Sequence, residues 1–273
     1  EKTTSWRQWA ARMSDEASSD RTAAEIEFWR TQTLPPERGL PLDGQVLANT
    51  VDRSETYDAV LDAEDTRALL QEIPAVFGTQ VNDVLLTAVG VALGAWSGSD
   101  SVRLDVEGHG REMLFDDVDV SRTVGWFTTI SPVLVPVVSD GPLVTGLKQV
   151  KELMRSRPRH GIGYGMLSEV LTGEDISMSQ VSFNYLGQFD DVGGQFVSGM
   201  GMAGPDWDPR NERPYLIDIV GQVTLGQLYL KWNYCRDAHH QATIARVAEH
   251  AVSVLRDLVA VAREPKVNGY TPS

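Results

Sequence analysis

Apolar residues recur along this chain in two rhythms, one helical and one alternating. Trp6, Trp9, Ala10 and Met13 are spaced three and four apart, which predicts an opening helix with Ser5 as its cap. A second helix is expected over 23–32, carrying Ile26 and Trp29 and stopped by Pro35-Pro36. Asp62 is placed to cap a helix reaching about Ile73. The clearest pattern is Val81, Val84, Leu85, Ala88, Val89, Ala92, Leu93 and Trp96, a stripe so wide that its helix must be deeply buried; Gly98-Ser-Asp100 ends it. Leu143, Leu147, Val150 and Met154 mark a further amphipathic helix. The last places Ile244, Val247, Ala251, Val254, Leu255, Leu258 and Val261 on one stripe. His239-His240, just before it, reads as two exposed residues in its first turn.

Between these helices lie segments with the composition of strands: 55–61, 101–106, a long run over 124–138 broken near Pro132, and 181–185. Residues 215–224 and 227–234 read as a hairpin about Leu225-Gly226. Pro, Gly and Asp mark 33–54 and 190–213 as loops, and 108–123 is polar. A glycine-rich turn at 161–165 leads to a short helix over 166–171. No repeat or low-complexity tract is found. Helices and strands alternate throughout, which predicts α/β layers around one sheet.

Composition narrows the partners. The formal net charge is -14, so the chain repels phosphate backbones and anionic lipid, and neither nucleic acid nor a membrane surface is expected. No apolar run is long enough to cross a bilayer. Cys235 is the only cysteine, which fits a reducing cytoplasm; it is expected as a packed core residue. The start at Glu1 and the linker-like Gly-Tyr-Thr-Pro-Ser end are expected for a piece of a longer polypeptide.

Four segments carry candidate chemistry. In Glu107-Gly-His-Gly-Arg-Glu112 a carboxylate ends an apolar strand, and glycines then allow a ligand or another backbone to approach; a solvated polar turn is the competing reading. His109, flanked by glycines, has no second His or Cys at metal-ligand spacing and reads as a turn histidine. Gly161-Ile-Gly-Tyr-Gly165 fails the dinucleotide fingerprint, because Met166 stands where Gly is required. Asn184 and Tyr185 in Phe183-Asn-Tyr-Leu-Gly-Gln188 end a strand, either as site residues or as a hydrogen-bonding pair without chemistry.

Taken in order with Arg122-Thr-Val-Gly-Trp-Phe-Thr128, Lys2-Thr-Thr-Ser-Trp-Arg-Gln-Trp9 and Val81-Asn-Asp-Val-Leu-Leu86, these segments resemble epimerization domains of nonribosomal peptide synthetases, in the condensation-domain superfamily. The resemblance implies a chloramphenicol acetyltransferase-like lobe, a mixed sheet flanked by helices. Residues 1–268 would form the C-terminal lobe, with 1–54 as opening helices and connecting loop, and 269–273 the start of an inter-domain linker. The superfamily's His-His-x-x-x-Asp-Gly motif is absent: Ile244 and Ala245 stand where Asp and Gly would follow His239-His240. That motif belongs to an N-terminal lobe, without which this lobe would be inactive.

The implied activity, part of secondary metabolism such as antibiotic biosynthesis, is inversion of the Cα of an aminoacyl or peptidyl thioester. Glu107, Asn184 and Tyr185 would be catalytic. Arg111, Trp126 and Tyr164 would bind substrate or phosphopantetheine, with Arg111 alternatively orienting Glu107. No metal is implied, and the phosphopantetheine is supplied by a carrier domain. Partners would be a peptidyl carrier domain, the N-terminal lobe and neighbouring synthetase modules. Trp126, Phe127, Tyr164 and Trp207 are expected on the face that the other lobe covers. An amide-forming condensation lobe and a non-catalytic docking lobe are the alternatives.

Overall fold

Ser5 accepts a hydrogen bond from the Gln8 amide while its own amide donates to the Gln8 side chain, a reciprocal cap that starts α1 (Trp6–Ala17). The computed structural model describes residues 3–36, 38–138, 141–167, 171, 179–189 and 207–264. The helix expected over 23–32 is two pieces, α2 (Asp20–Ala23) and α3 (Ile26–Thr33). A long connection reaches β1 (Ser54–Leu61). Asp62 then caps α4 (Ala63–Phe77) through the Glu64 and Asp65 amides. Gly78 and Gly98, both left-handed, close α4 and α5 (Val81–Ser97). There follow β2 (Ser101–Gly108), β3 (Thr129–Pro136), α6 (Leu143–Ser156), α7 (Ile162–Met166), β4 (Val181–Gln188), β5 (Ile217–Thr224), β6 (Gln227–Cys235) and α8 (Gln241–Ala262).

The strands form one mixed six-stranded sheet in the order β1-β6-β5-β4-β2-β3. The β5–β6 hairpin turns at Leu225-Gly226, both with positive φ. β4 runs parallel to β2 and β5, and the remaining neighbours are antiparallel. α4, α5, α6 and α8 cover one face, where Leu85, Val89, Phe183, Ile219, Trp232 and Leu255 join the main core. α3 and α7 lie against β3 on the other side, and smaller clusters form around Trp9 with Phe127 and around Trp29. This is the mixed α/β architecture of chloramphenicol acetyltransferase-like folds.

Several sequence expectations need correction. The run over 124–138 is a strand only from Thr129 to Pro136, because Phe127 is drawn into the side cluster with Trp9. Pro132 does not break it: β3 is an edge strand, which tolerates a residue without an N–H. The glycine-rich segment is helix α7 rather than a turn, entered through Arg159, His160 and Gly161, all with positive φ. Gly163 is required there because a Cβ would strike the Glu25 carboxylate. His239 is not exposed but buried at 1%, edge-on to Trp96 at 5.2 Å; His240 is exposed. The expectations for 168–170, 190–206 and 269–273 lie outside the described residues.

The packing can be tested at two points. A Cβ at Gly90 would lie 2.6 Å from the Val135 side chain, where α5 crosses β3. Gly90→Val should therefore lower stability by about 2 kcal/mol, seen as a reduced urea midpoint with unchanged slope. Burial holds the His239 imidazole down to about 4 from its ordinary 6.5, so between these values the unfolded chain binds the extra proton. Stability should be level above pH 6.5 and fall as the pH drops toward 4, by on the order of 3 kcal/mol. His239→Phe should remove that part of the acid sensitivity in pH-dependent melting.

Candidate active site

Alternation along β2 sends Val102, Leu104 and Val106 into the main core and turns Arg103, Asp105 and Glu107 to the opposite face. β4 behaves the same way: Val181 and Phe183 are core, and Ser182 and Asn184 face outward. Since Val106 pairs with Phe183, the next positions meet as well, and Asn184 Nδ2 donates to Glu107 Oε2 at 2.6 Å. Partial burial and the nearby Asp218 carboxylate push the Glu107 carboxyl above its ordinary range; the Asn184 hydrogen bond works against them. Ile130, opposite Glu107 across the β2–β3 ladder, brings an apolar side chain to the same spot.

Around this pair the outward face is polar and ordered. Asp105 accepts from Ser179 Oγ at 2.5 Å and Tyr215 Oη at 2.9 Å. Asp218 accepts from Ser182 Oγ at 2.7 Å and from Arg213 Nη2 at 2.5 Å. Burial raises the Tyr215 phenol, and Asp105, Asp218 and Glu107 all add to the effect. Sequence reasoning missed Asp105, Ser182, Arg213, Tyr215 and Asp218. The signal was available: polar residues at i and i+2 in otherwise apolar strands, 105 with 107 and 182 with 184.

The structure unites Glu107 and Asn184 but separates the other expected site residues. Tyr185 does not converge with them. It is one residue out of phase with Asn184, so it turns to the helix-packed face, where its ring, Leu85 and Leu230 surround Gly221. Arg111 does not pair with Glu107 either: it donates to the Val120 and Thr123 carbonyls and lies 4.0 Å over the Phe127 ring, folding the 108–128 loop. Tyr164 sits in the Trp29 cluster within electrostatic reach of Arg103 and Asp105, on the Glu107 side of β2. Trp126 is 81% exposed on the rim of a 670 Å³ groove with Trp6, Ile130 and Met166. Trp207 is exposed as expected; Phe127 is not, being buried under Trp6 and Trp9. The His109 ring accepts from the Arg111 amide, a turn histidine, and Cys235 is buried. Among the described residues no cluster of side chains suits a metal ion.

Comparison with known proteins adds to this geometry. Residues 1–268 match the family model described as Condensation domain. A linear gramicidin synthase from Brevibacillus parabrevis is 37% identical over 97% of this chain, and a surfactin synthase from Bacillus subtilis is 34% identical over 93%. The chain spans only 4% and 8% of the length of those two relatives. The crystal structure of the epimerization domain from the third module of tyrocidine synthetase B is 32% identical. It superposes with a TM-score of 0.87, covering 96% of this chain and 60% of that one. A cyclization-docking bidomain from Sorangium cellulosum, 19% identical with a TM-score of 0.71 and covering 95% of this chain and 52% of that one, shares the fold.

The Glu107–Asn184 contact has a direct test. Asn184→Leu removes the hydrogen bond that favours the ionised carboxylate, so the Glu107 titration midpoint should move further up. Carboxyl-carbon NMR across a pH series checks this, with the resonance assigned by its loss in Glu107→Gln.

Proposed function

The chain belongs to the condensation-domain family, and from that premise we propose that it is the C-terminal lobe of an epimerization domain in a nonribosomal peptide synthetase. The observation that carries the reading is the Glu107–Asn184 pair, a half-buried carboxylate held above its ordinary pKa on the outward face of the sheet. A carboxylate so placed is a stronger base than one in water, as removal of a weakly acidic Cα proton requires. The likeness to the tyrocidine synthetase epimerization domain, at 32% identity, supports the choice of reaction within the family.

In the proposed reaction the substrate is an aminoacyl or peptidyl group held as a thioester on the phosphopantetheine arm of a carrier domain. Glu107 takes the Cα proton, and the electron pair of the broken C–H bond moves into the thioester carbonyl, giving an enolate. The Asn184 amide, already fixed against Glu107, is positioned to steady charge beside the reacting carbon. A donor on the opposite face returns a proton to Cα and the centre inverts. That donor is assigned to a histidine of an N-terminal lobe, because the His-His-x-x-x-Asp-Gly motif is absent from this sequence. The proposal takes residues 1–268 as the lobe and 269–273 as linker. The exposed Trp126 and the groove it borders, with Tyr164 nearby, form the proposed approach for the arm and its cargo. Tyr185 and Arg111 are left out of the chemistry, since one faces the core and the other braces the loop. The carrier domain, the N-terminal lobe and neighbouring modules remain the proposed partners, with antibiotic-type peptides as the product class and the cytoplasm as the location.

Exchange of the α-proton in deuterated water, with a loaded carrier protein, tests this reading. The chain alone should give no turnover. In the intact two-lobed domain Glu107→Gln should lower exchange by roughly 10²–10⁴-fold. Turnover by the chain alone comparable to an intact domain would overturn the lobe assignment. Full activity of Glu107→Gln would favour a docking role, and amide product without exchange would favour a condensation domain.

A further inference from the structure

On the outward face, side chains stand in rows across the strands. Asp105, Ser182, Asp218 and Asn233 are consecutive register partners on β2, β4, β5 and β6. One row further toward the carboxyl end of β4 lie Asn184, Val220 and Lys231, with Glu107 joined to Asn184. β4 therefore holds a carboxylate on each side: Asn184 grips Glu107 on β2, and Ser182 grips Asp218 on β5. Arg213 completes the arrangement from beyond β5. It donates to Asp218 Oδ2 at 2.5 Å and to the Asn233 carbonyl on β6 at 3.1 Å, so its charge sits on the side of Asp218 away from β4 and Glu107.

We propose that Asp218 is a positioning residue for Glu107: its carboxylate, fixed by Ser182 and Arg213 on the shared sheet face, sets the electrostatic field in which Glu107 works. The inference rests on the reading of Glu107 as the base. Other charged groups near Glu107 are differently engaged. On the same strand and face, Arg103 donates to the Thr33 carbonyl and Asp105 is closed off by Ser179 and Tyr215. Tyr164 packs on Trp29. Asp83, Glu112, Arg155, Arg157 and His160 share with Glu107 a cavity at the end of β2, where Asp83 accepts from the Gln80 amide, Arg155 donates to the Gly78 carbonyl, Arg157 donates to Ser131 and His109 lies 3.3 Å from Glu112. Lys231 is exposed two strands beyond Asn184. Asp218 is the carboxylate whose charge opposes ionisation of Glu107, and a like charge held rigidly in a partly buried site acts with little solvent screening.

The arrangement makes a paired prediction that general damage to the fold would not produce. Asp218→Asn removes the opposing charge and leaves Arg213 uncompensated, so Glu107 should ionise at lower pH. Arg213→Met leaves Asp218 uncompensated, so Glu107 should ionise at higher pH. Two readouts apply: NMR titration of the Glu107 carboxyl, and the acid limb of α-proton exchange in the intact two-lobed domain. At the foot of that limb the rate, as a fraction of each variant's own plateau, should rise several-fold for Asp218→Asn and fall several-fold for Arg213→Met. Shifts in the same direction, or no shift in either, would overturn the inference. Opposite NMR shifts with no α-proton exchange even in the unaltered domain would support the coupling and instead sink the epimerization reading.

Discussion

Val106, Phe183, Ile219 and Trp232 stand side by side across β2, β4, β5 and β6, each no more than 1% exposed beneath the helices. Burying them fixes the phase of four strands at once. Each such side chain contributes about 1.5–3 kcal/mol when removed from water. Because side chains alternate with a period of two, the residues on either side have no choice of face. Asp105, Glu107, Ser182, Asn184 and Asp218 are thereby gathered on the other side of the sheet. A slip of one residue in β4 would bring Ser182 and Asn184 under α5 and expel Phe183. The site is in this sense a consequence of the core.

The segment that carries Tyr164 depends on a second, more local device. Arg159 and His160 are both left-handed, a conformation that costs about 1–2 kcal/mol for each non-glycine residue. The Arg159 guanidinium offsets this by reaching Glu25, Glu16 and Thr22 on the opening helices, with both carboxylates largely buried. Glu25 also accepts from the Trp29 indole, whose ring packs on Tyr164. The opening helices are thus tied to the glycine-rich helix through charge as well as apolar contact. Gly163 follows from that closeness, since a Cβ there would meet Glu25, and Gly161 is fixed separately by the Arg157 and Ser131 side chains.

What the sequence disclosed divides along the same physical lines. Helices with wide stripes and side-chain caps, α1 from Ser5 and α4 from Asp62, were legible because their signals are local. The β5–β6 hairpin was legible from its turn. The start of β3 was not, because Phe127 leaves the strand pattern for a cluster built with Trp9, far away in sequence. His239 was misread for the same reason: nothing near it in the chain announces that Trp96 packs on its ring. Glu107 and Asn184 were found by resemblance, yet the alternation that separates Tyr185 from them was present in the residues Phe183-Asn184-Tyr185. The polar positions 105, 182 and 218 need the register of three strands before they can be seen as one face.

The electrostatics of Glu107 show why register matters more than proximity in sequence. Arg111, four residues on, is the next arginine along the chain; paired with Glu107 it would hold the carboxylate ionised and weaken it as a base. That guanidinium is instead engaged by the Val120 and Thr123 carbonyls and the Phe127 ring. Glu107 is left with one neutral hydrogen-bond donor, partial burial, and a carboxylate on β5, more than a hundred residues on. A hydrogen bond to a charged group is worth about 1.5–3 kcal/mol, enough to orient the carboxylate. Here it does not outweigh burial and like charge together, since the net displacement is upward. Orientation comes from Asn184 and proton affinity from burial and Asp218, so the two properties that a base needs are set by different strands of the sheet.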